Sequence, residues 1–241
     1  MKKKLFSLLF IFFSISLISQ TLSELGLYEK DRIRLTKNKL VLKKKKINRA
    51  PWPEVKVFAK VNATPEECAA VHFAFHDHKN FIPDLVKSEP VKYITPLNIH
   101  VYFEMNFTWS LPNSRFTTGN HLKKFGSGSY KVEWYHVKHS SAKNTSGYIA
   151  FIPFGRSTLL VYRNFTIPSS GLAGLFIKRM LKGMEKTIRS IVSRIEDIKN
   201  NHSGKMKIYK NNLKRAFKGE FIYKNLPGSR PGQAQGPDQK Q

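Results

Sequence analysis

Between Val86 and Ile167 the chain repeats one pattern: a stretch of about ten residues rich in β-branched and aromatic side chains, then a cluster of turn residues. The stretches fall at about 87–95, 98–109, 115–125, 129–138, 146–153 and 157–167. The breaks are Pro96-Leu97-Asn98, Pro112-Asn113-Ser114, Gly126-Ser127-Gly128 and Gly155-Arg156. Connections this short cannot carry a crossover, so consecutive strands must pair antiparallel as a meander. One face of such a sheet needs a cover. The chain supplies one after Pro168-Ser169-Ser170-Gly171, where Ile177, Leu181, Met184, Ile188, Ile191, Ile195 and Ile198 recur at intervals of four and three. That spacing draws a single apolar stripe along a long helix. Lys178, Lys182, Lys186, Arg189 and Arg194 fall on its other side.

Upstream, Val55-Lys56-Val57-Phe58-Ala59-Lys60-Val61 alternates as a half-buried strand does. The next residues predict a helix start, with Thr64 as N-cap, Pro65 in the first helical position and Glu67 closing a capping box. This helix should run to about Phe75, and Asp77 to Ile82 reads as a short second turn stopped by Pro83. The expected fold is α+β: an antiparallel six- to seven-stranded sheet wrapped around a long C-terminal helix.

That order of elements resembles the START-like superfamily, also called SRPBCC, whose helix-grip fold it matches over residues 54–199. The resemblance is carried by Val61-Asn62-Ala63-Thr64-Pro65-Glu66-Glu67, Asp77 with Phe81-Ile82-Pro83, and Leu111-Pro112 with Arg115. Further on it is carried by Glu133-Trp134, by Gly147 to Pro153 leading into Ser157 to Arg163, and by Ile167-Pro168 before the long helix. It implies a hydrophobic cavity roofed by that helix, used in related proteins for lipids, quinones, sterols or polyketides, in some for cyclisation or dehydration. Fold alone does not choose among these.

Strand alternation puts Phe103, Met105, Phe107 and Trp109 on one face, opposite His100, Tyr102, Glu104 and Asn106. The first set, with Trp134, Phe151, Tyr162, Phe176, Met180 and Met184, is expected either to line a cavity or to form plain core. Gly183 either leaves room there or marks a close packing contact. Arg115 either anchors a polar head through its fork of donors or pairs with Glu104 or Glu133. His72 and His76 lie four apart, but Phe73 stands where a helical zinc motif needs its catalytic Glu, so no metal is expected. Gly126-Ser127-Gly128-Ser129 lacks the spacing of a nucleophile turn, and an acid–base pair of Glu104 with His136 would be needed for an enzyme. No cofactor is expected.

The ends carry a different composition. Met1-Lys2-Lys3-Lys4 and the nearly uncharged Leu5 to Ile18 predict an export signal over 1–23, either cleaved or kept as an anchor, so the protein is expected to be periplasmic or extracellular. Residues 24–53, with Lys43-Lys44-Lys45-Lys46, read as a basic tail or weak helix, and 200–241 as a basic, partly disordered extension. A net charge of +26, from 42 Lys+Arg against 16 Asp+Glu, favours polyanions, here an anionic membrane surface rather than nucleic acid. The single cysteine, Cys68, excludes an internal disulfide. The expected partner is an apolar small molecule or lipid, bound by a monomer.

Overall fold

The computed structural model describes residues 23–106, 113–126, 128–223, 226 and 227. The expected export signal lies outside them except for Ser23, as do Phe107, Trp109 and residues 228–241. Among the described residues no helix is long and apolar enough to cross a membrane.

The elements, in order, are α1 (Glu29–Thr36), β1 (Val41–Lys45), β2 (Glu54–Val61), α2 (Pro65–Phe73), a 3-10 turn (Phe75–Asn80) and β3 (Leu85–Thr95). Then come β4 (Asn98–Met105), β5 (Ser114–Phe125), β6 (Ser129–His139), β7 (Ala142–Phe154), β8 (Ser157–Pro168), a second 3-10 turn (Gly171–Phe176), α3 (Ile177–Asn201) and α4 (Ser203–Phe217). The eight strands form one antiparallel sheet in the order β1-β2-β8-β7-β6-β5-β4-β3. The six-strand meander stands as the turn residues place it. The eighth strand is β1, from the segment read as a tail.

Local chemistry accounts for the start of α2. Thr64 Oγ1 accepts from the Glu67 amide at 3.3 Å while the Thr64 amide donates to Glu67 Oε2 at 2.8 Å, the reciprocal capping box. Cys68 is buried on this helix, and its thiol is pushed up to about 12 by loss of water, so it is inert packing. The inner face of the sheet, with Val57, Ile99, Val101, Leu122, Val132, Ile149 and Leu160, closes over α2 and the second half of α3. There Ile188, Ile191, Ile195 and Ile198 are 0–3% exposed, each contributing about 1.5–3 kcal/mol of burial. At the turn from β2 to α2, the Asn62 amide donates to Glu196 at 2.9 Å and Lys199 donates to the Asn62 carbonyl at 2.6 Å, fixing this half of α3.

Two cross-strand pairs shape the sheet. Trp134 stands opposite Gly147 on the inner face and Tyr135 opposite Gly119 on the outer one, and each ring lies over its glycine so closely that a methyl there would collide with it. Glycine is required at both positions to seat the aromatic ring.

The termini depart from the sequence reading. Residues 24–53 do not form a free tail: α1 lies on the outer face of the sheet, where Leu27, Leu35 and Val41 bury against Phe58, Ala150, Leu159 and Val161. Asp31, 5% exposed, accepts from Lys43 at 2.6 Å and ties helix to strand. The segment lacks enough apolar residues to fold alone, but a ready-made sheet face and edge supply the missing partners. Likewise α4 is part of the domain, with Met206, Tyr209, Leu213 and Ala216 buried against α2. Beyond it the Tyr223 hydroxyl donates to the Phe73 carbonyl at 3.0 Å and accepts from the Phe75 amide at 3.1 Å. Its own amide donates to the Tyr93 hydroxyl at 2.7 Å.

Candidate functional site

The first half of α3 packs differently from the second. Met180, Leu181 and Met184 touch the core but remain partly accessible, and so do Met105, Phe116, Trp134 and Tyr162 on the sheet. Thus one end of the helix–sheet interface is sealed and the other is not. At the sealed end the nearest void, beside Ala70, Phe73 and Tyr209, is about 10 Å³, room for about one water.

At the open end the Trp134 and Tyr162 rings meet at 5.3 Å. Burial pushes the Tyr162 phenol up, and its hydroxyl makes no hydrogen bond among the described residues. The floor of β5 and β8 changes character along its length. Leu122 and Leu160 at the sealed end give way to Thr118, Asn120, Asn164 and Thr166. None of these carries a charge, and most satisfy one another: Asn120 donates to Thr118, Asn164 to Thr166, and Thr145 bonds Thr166.

The open end is framed by the turn joining β6 to β7 and the segment that leads into α3. The Ser169 amide donates to the Ser141 carbonyl at 3.0 Å, and the Ser114 and Ser141 hydroxyls bond at 2.8 Å. Trp52 donates its indole N–H to the Ala173 carbonyl at 2.7 Å, holding the second 3-10 turn from behind. That turn then presents Leu175, 78% exposed, and Phe176, 42% exposed, to solvent.

Several expected cavity residues therefore stand elsewhere. Phe151 is fully buried core, edge-on to His72 at 5.9 Å. Phe103 is nearly buried, stacked on Phe116 at 5.2 Å. Phe176 is outside. Gly183 is exposed with nothing within 4 Å of where a Cβ would stand, so it neither relieves a close strand nor widens a cavity. Arg115 is on the outer face: it is the register partner of Glu104, alternates with inward Phe116, and meets the Glu104 carboxylate at 3.4 Å. Of its two sequence readings the ion pair holds. The same alternation separates Glu104 from inward His136, so the acid–base pair is not assembled.

Sequence reasoning missed the groups around the second turn. His72 and His78, rather than His72 and His76, come together, with rings 4.8 Å apart among Phe75, Phe81, Phe103 and Phe151. His78 Nε2 bonds the His72 carbonyl at 2.7 Å, and His72 Nδ1 is buried without a partner. Burial holds His72 well below its ordinary value and His78 at about 4. Beside them Asp77 accepts from Arg194 at 2.9 Å, from Lys205 at 3.2 Å and from Asn80 at 2.6 Å. Burial opposes ionisation of Asp77, but these donors overcome it and hold the carboxyl far below its usual range. Arg194, placed by spacing on the solvent side of the helix, reaches round to it. Among the described residues no three potential metal ligands cluster.

No protein-family model matches the sequence, and no curated protein does. Solved structures do. A fragment of a STAR-related lipid transfer protein from Xanthomonas axonopodis superposes with TM-score 0.59 at 15% identity, covering 65% of this chain and 93% of that one. Human StAR-related lipid transfer protein 5 gives 0.57 at 12% identity, covering 77% and 99%. The fold is START-like. The Zhui aromatase/cyclase of a Streptomyces species shares it too, with TM-score 0.51 at 12% identity over 61% of this chain and 96% of that one. The START-like likeness, at these identities, concerns the backbone. Transfer proteins and a cyclase share it, so the chemistry of this chain has to be argued from its own side chains.

Proposed function

We propose that this protein is an exported carrier that binds an apolar ligand, a lipid, quinone or similar molecule, between the sheet and the first half of α3. The observation that carries this reading is the asymmetry of the helix: four sealed isoleucines at one end, and at the other thioether and aromatic side chains that touch the core without being buried in it. Methionines and aromatic rings there form an adaptable apolar lining. Filling such a lining with a ligand removes apolar area from water, at about 25 cal/mol per Å². The lipid-transfer names of two similar structures support the same ligand class. Entry requires the first half of α3 to move, while Glu196, Lys199 and Arg194 hold the second half in place.

The test is native mass spectrometry with lipid extraction on protein purified from its own compartment. The expected result is a reproducible apolar adduct that Met184→Trp, which fills the open end, reduces at least tenfold. An empty wild-type protein would contradict the carrier reading. Export, proposed from Leu5 to Ile18 behind three lysines, is checked by fractionation and by the N-terminus of the mature chain.

Delivery, in this proposal, takes place at an anionic membrane. Exposed Leu175 and Phe176 sit at the N-terminal end of α3, next to the exposed cations Lys178, Lys182, Lys186 and Arg189. An apolar wedge beside a cationic face suits the interface of an acidic bilayer. Replacing both by Ser should lower co-sedimentation with phosphatidylglycerol vesicles about tenfold. Unchanged sedimentation would move docking to the lysines of β1.

A further inference from the structure

The strand β6 is irregular at one place, and the irregularity bears on what the ligand carries at its end. Thr117 pairs with Lys138 but Thr118 with His136, so the strand bulges at Val137. A bulge shifts the alternation by one residue and re-aims the side chains that follow. Here it brings His136 and His139 to the same inner face three residues apart, with rings parallel to within 7° at 6.5 Å. His139 is also stacked on Phe116 at 4.8 Å, and Phe116 on Phe103. A slab of flat rings thus runs from the core to the open end and finishes in two imidazoles.

Their hydrogen-bonding capacity is largely unspent. His136 Nδ1 is buried without a partner, a cost that a polar group delivered by a ligand would remove. His139 Nδ1 accepts from the Ser141 amide at 3.1 Å, which in the neutral ring places the proton on Nε2 and leaves that nitrogen a donor. Burial, with His136 next, lowers the His139 imidazole to about 4, so this ring is uncharged at neutral pH. The floor beside the pair is the uncharged Thr118–Asn120 and Asn164–Thr166 set, and Arg115 on the neighbouring β5 faces the other way.

We propose that His136 and His139 form a head-group site that takes an uncharged hydroxyl, so that the ligand is a neutral lipid alcohol and not a fatty acid or a phospholipid. A hydroxyl donates and accepts at once, which suits an imidazole pair offering both functions. A carboxylate or phosphate calls for fixed positive charge to replace its lost hydration, and among the described residues the sheet floor beside the pair, Thr118, Asn120, Asn164 and Thr166, carries none. The inference rests on the carrier reading and narrows it.

The experiment is displacement of bound Nile red at pH 7.5 by oleyl alcohol and by oleate, which share a chain and differ in the head. The alcohol is expected to displace the dye at a concentration at least tenfold below that of oleate. His136→Leu with His139→Leu should erase that difference while Nile red stays bound, and His136→Gln, which keeps a hydrogen-bonding amide, should restore part of it. Equal displacement, stronger displacement by oleate, or a preference that survives in the leucine variant would overturn the head-group site and leave the carrier reading intact. Failure of the wild-type protein to bind Nile red or either lipid would overturn both.

Discussion

Asp77→Ala is expected to destabilise the protein by about 3–5 kcal/mol, the usual cost of removing one member of a buried ion pair. Asp77 has only 4% of its side chain exposed and Arg194 19%, so the interaction is little screened by water. The carboxylate collects donors from three elements: Asn80 in its own turn, Arg194 in α3 and Lys205 in α4. Its loss leaves a guanidinium whose Nε already lacks a partner, and takes away the carboxylate that the buried Tyr209 hydroxyl faces. The guanidinium chloride midpoint at pH 7 should fall by about 1 M for a slope in the range usual for this size. Asp77→Ala with Arg194→Met should recover part of the loss, because the orphaned charge is then gone. A shift worth less than about 1 kcal/mol would show that Asp197, 3.3 Å from Arg194, and solvent compensate, and that Asp77 does not join the helices.

Acid should weaken the fold well before its carboxylates titrate. His72 and His78 are held below the ordinary histidine value of 6.5 by burial, His78 at about 4. The unfolded chain therefore binds protons near pH 6.5 that the folded chain does not, and stability rises with pH across that window. The contribution of the neutral imidazoles is complete above the unfolded value. It is lost as pH falls from 6.5 toward about 4, with His78 alone accounting for about 3 kcal/mol. Asp77 has the opposite origin and a lower window. Its depressed folded value means that its contribution is present above the ordinary 3.8 and is lost only in stronger acid. Denaturation midpoints measured at pH 8, 6, 5 and 4 should fall most steeply between 6 and 4. His78→Gln, which retains a donor for the His72 carbonyl, should flatten that fall. A slope unchanged by the variant would place the acid sensitivity in other groups.

These two predictions concern residues that the sequence named without explaining. Asp77 was legible as part of a START-like pattern, but its partners lie 117 and 128 positions away, on helices whose rotation no periodicity fixes to within one side chain. The histidines were legible as a cluster, but spacing paired His72 with His76. The 3-10 turn, tighter than an α-helix, swings His78 against His72 and sends His76 toward Tyr209 and Tyr223.

What the sequence determined by itself is the part set by local periodicity: the six-strand meander, the capped α2, the long amphipathic helix, and with them the START-like fold. Alternation also placed Trp134 and Tyr162 inward and Glu104 outward, since a strand's side chains switch faces at every residue. Tertiary structure alone decided where that alternation breaks, as at Val137, where one extra residue turns His139 to the inner face beside His136. It also decided which basic segments join the fold. Leu27 and Leu35, or Tyr209 and Tyr223, are too few to build a core, and their burial depends on surfaces formed by residues far away in the chain. A pattern within one segment reports the face that segment hides; it does not report what another segment has already built to cover it.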